Sequence, residues 1–169
     1  SGLEVSLLGL GGNVFGPPRL DLDATRAVVD AAQDHGVDLV DTANLYNGGD
    51  SEAFLGEVLS GRRDRWVVAT KFILRGLGDG DLAAHVRTQL DDSLRRLRSE
   101  HVDLYQLHHA PADGIDTGVL LETLDSLVRA GKVRAIGASN FSAWRLAECA
   151  QLARENGWAA FSTVQDYWH

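Results

Sequence analysis

The chain has 169 residues, 44% hydrophobic and 24% charged, which is typical of a globular protein with a sizeable buried core. A formal net charge of -8 argues against a nucleic-acid partner, because such proteins usually present a basic face. Cys149 is the only cysteine, and we find no signal peptide and no apolar run long enough for a membrane span. We therefore expect a cytoplasmic protein without disulfides or membrane insertion, in which Cys149 has a packing role.

Strand-like and helical segments alternate along the whole chain. Strands are predicted at 5–10, 37–41, 66–70, 102–107, 133–137 and 161–165. Helices are predicted at 21–36, 51–61, 81–97, 117–132 and 142–157. Ser51 is the expected cap of the second helix. The strands recur about every 30 residues, which is the length of one βα unit, so the sequence predicts a single α/β domain over 1–169 with a parallel sheet.

Two parallel architectures compete on these elements. Six strands are enough for a doubly wound sheet, whereas a (β/α)8 barrel needs eight strands and typically about 250 residues. Strand counting alone favours the doubly wound sheet. In either architecture, reacting groups collect where the strands end, because every following loop opens at that edge.

Two arginine clusters and one loop lie outside the predicted strands. Arg62, Arg63 and Arg65 form one cluster, and Arg95, Arg96 and Arg98 form the other. Both clusters are predicted to be solvated. The loop 73–81 is rich in Gly and Asp, and either borders a ligand site or serves as a flexible connector.

Four chemically distinctive residues lie at or just past the ends of predicted strands: Asp41, Tyr46, Lys71 and His108. Such a set suits proton transfer to a carbonyl oxygen. A phenol is a weak acid, a nearby ammonium group favours its ionised form, and a buried carboxylate can hold that ammonium in place. A histidine beside the carbonyl oxygen can donate a hydrogen bond and orient the substrate.

Each of these residues also has an interpretation without chemistry. Asp41 could cap a turn, Tyr46 could be a packing residue, and His108 could be a hydrogen-bonded histidine at a strand end. Lys71 is harder to explain structurally, because a buried lysine is costly without a partner. His109 follows His108 directly, so we expect the two side chains on opposite faces of a strand and predict no metal site.

Several segments of the sequence resemble motifs of the aldo/keto reductase family. They are DTANLYNGGDSE from Asp41, VVATKF ending at Phe72, DLYQLHHAP from Asp103 and LVRAGKVRAIGASNF ending at Phe141. The resemblance implies a parallel (β/α)8 TIM barrel, represented here through about strand six. It also implies reduction of aldehydes or ketones by hydride transfer from NADPH. Tyr46 would be the general acid, Lys71 and Asp41 would assist it, and His108 would orient the carbonyl.

The same resemblance implies an NADP(H) site. Ser139, Asn140 and Gln165 would hold the nicotinamide carboxamide, while Gly12 and Asn13 would approach the nicotinamide ribose beside Asp41. Without the family, the Ser139–Asn140 pair would be interpreted as a helix N-cap. GLGG at 9–12 lacks the G-x-G-x-x-G spacing of a Rossmann fingerprint.

The resemblance is to the bacterial and potassium-channel-subunit side of the family. The lack of methionine and the frequent Ala, Arg and Asp weakly favour a bacterial source. Because the family's strands seven and eight lie beyond this chain, we expect part of a longer protein, ahead of a self-pairing fragment or an inactive remnant. Two alternative functions stay open, a nucleotide-sensing regulatory subunit with slow turnover and a non-catalytic, self-associating barrel fragment. The substrate, the choice of NADPH or NADH, and the oligomeric state are not specified.

Overall fold

The computed structural model describes residues 2–78 and 80–167 and contains six strands and five α-helices over these ranges. The strands are β1 (Gly9–Gly11), β2 (Leu39–Asp41), β3 (Val67–Phe72), β4 (Val102–Leu107), β5 (Val133–Ser139) and β6 (Thr163–Gln165). The helices are α1 (Leu22–Asp34), α2 (Asp50–Val58), α3 (Leu82–Leu97), α4 (Thr117–Arg129) and α5 (Ala143–Asn156). Two short 3-10 turns, Tyr46–Gly49 and Arg63–Arg65, complete the set.

All six strands are parallel and pair in the order of the chain, from β1 to β6. A doubly wound sheet would reverse its strand order part-way, so that alternative is excluded. The sheet is curled. Gln165 on β6 donates to Asp41 on β2 over 3.2 Å, whereas four strand spacings of about 4.8 Å would separate them by roughly 19 Å in a flat sheet. The prediction of a (β/α)8 barrel represented through strand six is confirmed.

The helices begin at capping residues that the sequence supplies. Asp21, Asp81 and Asp116 each accept a hydrogen bond from a first-turn N–H of α1, α3 and α4. The apolar residues of α3 and α4 recur on one face, which packs against the outside of the sheet. On α3, that face buries Val86, Leu90, Leu94 and Leu97.

The sheet separates two apolar layers of different size. The main core lies between the helices and the outer face of the sheet, and includes Phe72 stacked on Tyr105 at 4.5 Å. Cys149 is buried in this layer, as its predicted packing role requires. The inner face carries a smaller cluster of Ala69, Leu104 and Ala135. The polar residues that follow them on the same face form the candidate site described below.

Several predicted boundaries were wrong. β1 was predicted from residue 5 but begins at Gly9. At Ser6, the backbone N–H donates to Asp38 Oδ1 and the hydroxyl oxygen accepts from Asp38 N–H, and these bonds replace the pairing between strands. Ser51 does not cap α2, which starts after Gly49 in a left-handed conformation. The Ser51 hydroxyl instead donates to Gly12 O over 2.7 Å and bonds the Thr42 hydroxyl.

The prediction that the arginine clusters are solvated is correct for Arg65, Arg95 and Arg98, which are exposed, but wrong for Arg63 and Arg96. Arg63 pairs with Asp103 over 2.7 Å, and Arg96 pairs with the buried Glu52 over 2.6 Å. A buried carboxylate requires a cationic partner, and each cluster supplies one. Of the helices described, none is both long and apolar enough to cross a bilayer.

Candidate active site

Lys71 is the centre of the polar group on the inner face. Its side chain is 1% exposed, and its ammonium donates to Asp41 Oδ2 over 2.6 Å and to Thr42 O over 3.0 Å. The Lys71 Nζ also lies 3.3 Å from the Tyr46 hydroxyl. A buried ammonium is thus held by one carboxylate and one carbonyl while it contacts a phenol.

Neighbouring strands place these groups together. β3 extends to Phe72, so Lys71 lies within the strand and not after it, as the sequence had suggested. Asp41 ends β2, which pairs with β3. The loop after β2 is fixed to β3, because Asn44 N–H donates to Lys71 O over 3.0 Å. Tyr46 opens the 3-10 turn that follows.

Gly12 packs closely against the backbone of Asp41. Its N–H donates to Asp41 O over 2.7 Å, and a Cβ on Gly12 would lie 3.1 Å from that oxygen and 3.0 Å from Ser51 Oγ. Glycine therefore allows the loop after β1 to approach the backbone of β2. Asn13, the next residue, is exposed.

His108 follows β4 and presents its ring edge-on to Tyr46, with 5.7 Å between ring centroids. Burial, with the charge of Lys71 and the proximity of His109, lowers the pKa of His108 to about 4. The ring is therefore neutral near pH 7. Its Nδ1 is buried and has no hydrogen-bond partner among the described residues. Nε2 is therefore the nitrogen that can bond to a ligand in the cavity that His108 lines with Tyr46 and Lys71.

The prediction that His109 and His108 lie on opposite faces of a strand was wrong. The two rings stack at 4.9 Å with an interplanar angle of 11°, because the strand ends at Leu107 and no longer alternates the side chains. Within the ranges 2–78 and 80–167, no cluster of three or more potential metal ligands is found.

Ser139, Asn140 and Gln165 meet at the same edge of the sheet. The Ser139 hydroxyl donates to Gln165 O over 2.9 Å, and Asn140 Nδ2 donates to His108 O over 2.9 Å. With Tyr46, Lys71 and His108, these three line a cavity of about 270 Å³. The N-cap interpretation of Ser139–Asn140 was wrong, because Ser139 ends β5 and Ser142 is the N-cap residue of α5.

A second cavity has a volume of about 500 Å³. It lies between the loops after β3 and β4 and beside Leu45, and its lining comprises Leu45, Ile73, Leu74, Arg75, His109, Ala110, Pro111, Ala112 and Ile115. Of the two interpretations of loop 73–81, the structure favours the one in which the loop borders a cavity.

One polar residue of the site was missed by the sequence reasoning. Gln106 is 3% exposed on β4, and its Nε2 donates to Asp41 Oδ1 over 3.3 Å. The alternation of strand 102–107 could have revealed it, because Gln106 shares a face with Leu104 two residues earlier and faces the barrel interior.

The comparisons with known proteins agree with this arrangement. The family model described as the aldo/keto reductase family matches residues 7–169. The chain belongs to the aldo/keto reductase family. A family member of known structure, the aldo-keto reductase from Klebsiella pneumoniae in complex with NADPH, superposes with a TM-score of 0.85 at 29% identity, covering 98% of this chain and 55% of that one.

Two curated family members illustrate the range of relatives. Norsolorinic acid reductase stcV of Emericella nidulans is 34% identical over 99% of this chain and 48% of its own length. The 6-dehydroglucose reductase of Novosphingobium aromaticivorans is 40% identical over 73% of this chain and 43% of its own length. The chain thus spans about half the length of the curated relatives it matches.

Proposed function

We propose that the protein is an NADPH-dependent reductase of aldehydes or ketones in which Tyr46 protonates the carbonyl oxygen. The observation that carries the proposal is the buried Lys71 ammonium, which contacts both Asp41 and the Tyr46 hydroxyl at the wall of a polar cavity. A structural ion pair would not require a phenol that faces a cavity. Membership of a family of carbonyl reductases supports the same assignment.

The polar wall of the small cavity suits a nicotinamide carboxamide. Gln165 Nε2 is bonded to Asp41, so its Oε1 is the atom left to accept from an amide NH2 group. The Ser139 hydroxyl and Asn140 amide lie 3.0 Å apart and supply further polar contacts. The NADPH named in the Klebsiella structure supports this cofactor here. Gly12 and Asn13 would then lie near its ribose. When bound, NADPH would supply the hydride.

The chain's own residues then supply the proton and its control. Tyr46 donates its hydroxyl proton to the carbonyl oxygen. The Lys71 ammonium stabilises the negative charge that develops on the phenol oxygen, and Asp41 holds the ammonium in place. His108 is neutral near pH 7, so it donates a hydrogen bond through Nε2 to the carbonyl oxygen without transferring a charge.

The larger cavity supports a substrate with an apolar body. Two of its lining residues, Leu45 and His109, are neighbours in sequence of Tyr46 and His108, which line the small cavity. Seven of its lining residues are apolar, and only Arg75 and His109 are polar. The substrate would therefore carry an apolar group in this cavity in preference to hydroxyl groups, which would lose their hydrogen bonds to water beside the apolar side chains.

The test uses Tyr46→Phe in the full-length protein. NADPH oxidation is followed with an aromatic aldehyde and with glyceraldehyde, and NADPH affinity is measured by fluorescence titration. We expect the parent protein to favour the aromatic aldehyde in kcat/KM. Tyr46→Phe should lower kcat/KM by at least about 100-fold, while the Kd for NADPH stays within a few fold.

Tyr105→Phe is the matched control, because Tyr105 is buried on the helix side of β4 and should leave turnover unchanged. Parental rates in Tyr46→Phe would exclude Tyr46 as the proton donor. Tight NADPH binding with little turnover in the parent protein would favour the regulatory subunit instead.

A further inference from the structure

We infer that Gln106 is a positioning residue of this site, which fixes the Asp41 carboxylate and thereby the Lys71 ammonium beneath Tyr46. This inference rests on the proposed function, because it concerns how the proposed proton donor is controlled. Gln106 touches none of the reacting groups directly and acts through Asp41.

The hydrogen bonds of Asp41 divide between its two oxygens. Oδ2 accepts from Lys71 over 2.6 Å and from Gln165 over 3.2 Å, whereas Oδ1 accepts from Gln106 over 3.3 Å. Among the described residues, Gln106 is the one side chain that donates to Oδ1. It therefore restrains rotation of the carboxylate, on which the position of the Lys71 ammonium depends.

The two glutamines differ in what else they can do. Gln165 is exposed and lines the small cavity, where it would also meet the cofactor. Gln106 is buried below it on the inner face and does not line that cavity. An amide buried there without a partner would be destabilising, so its hydrogen bond to Asp41 accounts for its presence.

The sheet leaves room for this side chain. Lys71, Gln106, Gly137 and Thr163 stand opposite one another on β3, β4, β5 and β6. A Cβ at Gly137 would lie 3.1 Å from Gln106 Cγ and would collide with Thr163 Oγ1. Glycine at position 137 thus gives space to the side chain that reaches Asp41.

The experiment compares Gln106→Met and Gln106→Glu with the parent in the full-length protein. Methionine keeps the length of the side chain but cannot donate, so kcat/KM at pH 7 should fall about tenfold while the Kd for NADPH stays within about twofold. The carboxylate introduced by Gln106→Glu adds a second negative charge beside Asp41, which offsets the Lys71 ammonium and disfavours ionisation of the phenol. The alkaline limb of the pH profile of kcat/KM should then move upward by about one unit.

Tyr105→Phe, on the other face of the same strand, is the control for a general disturbance of β4. Thermal melts establish that each variant is folded.

Parental kcat/KM and an unmoved pH profile in both Gln106 variants, with Tyr46→Phe inactive, would overturn the inference and leave the proposed function standing. A loss of activity that follows the folded fraction, without a shift of the alkaline limb, would also overturn it. If Gln106→Met does not fold, the isosteric Gln106→Glu decides the question. A parent protein without reductase activity would overturn the proposed function itself.

Discussion

The two ends of the sheet each carry a buried carboxylate with cationic partners, but the partners are arranged differently. At the start of the strands, Asp103 on β4 binds Arg63 over 2.7 Å and Arg134 over 2.8 Å, and it accepts from Val68 N–H over 2.9 Å. At the opposite end, Asp41 shares its cation, Lys71, with the hydroxyl of Tyr46.

The carboxyl of Asp103 is stabilised in its ionised form. Its burial alone would raise the pKa of the carboxyl, but the hydrogen bond from Val68 and the charge of Arg63 outweigh that effect and lower it. Both carboxylate oxygens are bonded within the protein. At Asp41, by contrast, the network ends in a phenol that faces a cavity. The Asp103 ion pairs also line a cavity, of about 430 Å³, so exposure to a cavity does not by itself distinguish the two ends. The comparison teaches that an ion pair can serve catalysis where its cation also contacts a group with a transferable proton, as Lys71 contacts Tyr46.

The largest expected effect comes from removing the cation at the cavity end. Lys71→Met should lower kcat/KM about a thousandfold, or about 4 kcal/mol in activation free energy, because the phenolate that forms would lose its stabilising charge. The measurement is NADPH oxidation with an aromatic aldehyde, alongside urea unfolding. The unfolding midpoint should change less than it does for the Asp103 variant below. Activity close to that of the parent would show that Lys71 is structural only.

A substitution at Asp103, at the other end of the sheet, should lower stability and leave turnover unchanged. Asp103→Asn should destabilise the fold by about 3 kcal/mol, because the largely buried Arg63 loses its counter-charge, whereas Arg134 is exposed and stays hydrated. The kcat of the remaining folded protein should stay near the parental value. Urea unfolding measures the first quantity and active-site-normalised turnover the second.

Asp92→Asn is the matched control, since Asp92 forms an exposed pair with Arg95 and its loss should cost below about 0.5 kcal/mol. An Asp103 variant as stable as this control would contradict the structural role assigned to Asp103.

The smallest expected effect is on how stability depends on pH, through His108 at the cavity end of the sheet. The pKa of His108 is about 4 in the folded protein, against an ordinary value of 6.5. Between those values the unfolded chain binds a proton that the folded protein does not, so this contribution to stability is full above pH 6.5 and decreases as the pH falls toward 4. Urea midpoints should therefore decline less between pH 7 and 4.5 in His108→Gln than in the parent.

His35→Gln, an exposed histidine at the end of α1, is the control for a general effect of removing a histidine. Equal declines for His108→Gln and the parent protein would mean that burial does not disfavour protonation of His108.

The sequence predicted the order and type of elements because each strand is an apolar run and each helix has one apolar face. It did not predict where β1 and β2 begin, because side-chain bonds between Ser6 and Asp38 replace the expected pairing. The solvated interpretation of Arg63 failed for a similar reason. Its partner, Asp103, is 40 residues away, and no local pattern connects the two.

The candidate site was predicted through its chemically distinctive residues and the resemblance they carry. Geometry brings Asp41, Tyr46, Lys71 and His108 together as expected, although their roles stay predictions. Gln106 was missed because a glutamine within an apolar strand gives no chemical signal until Asp41 is seen beside it. The stacking of His108 and His109 was missed because it depends on the residue at which β4 ends.

The curl of the sheet has a consequence for the order of folding. The contact of Lys71 with Asp41 joins residues 30 apart, that of Gln106 joins residues 65 apart, and that of Gln165 joins residues 124 apart. Closing longer loops costs more chain entropy, and the last of these contacts requires all six strands to be in place. We therefore expect the contact between Gln165 and Asp41 to be the last of the three to form, since it also depends on β6 having joined the sheet.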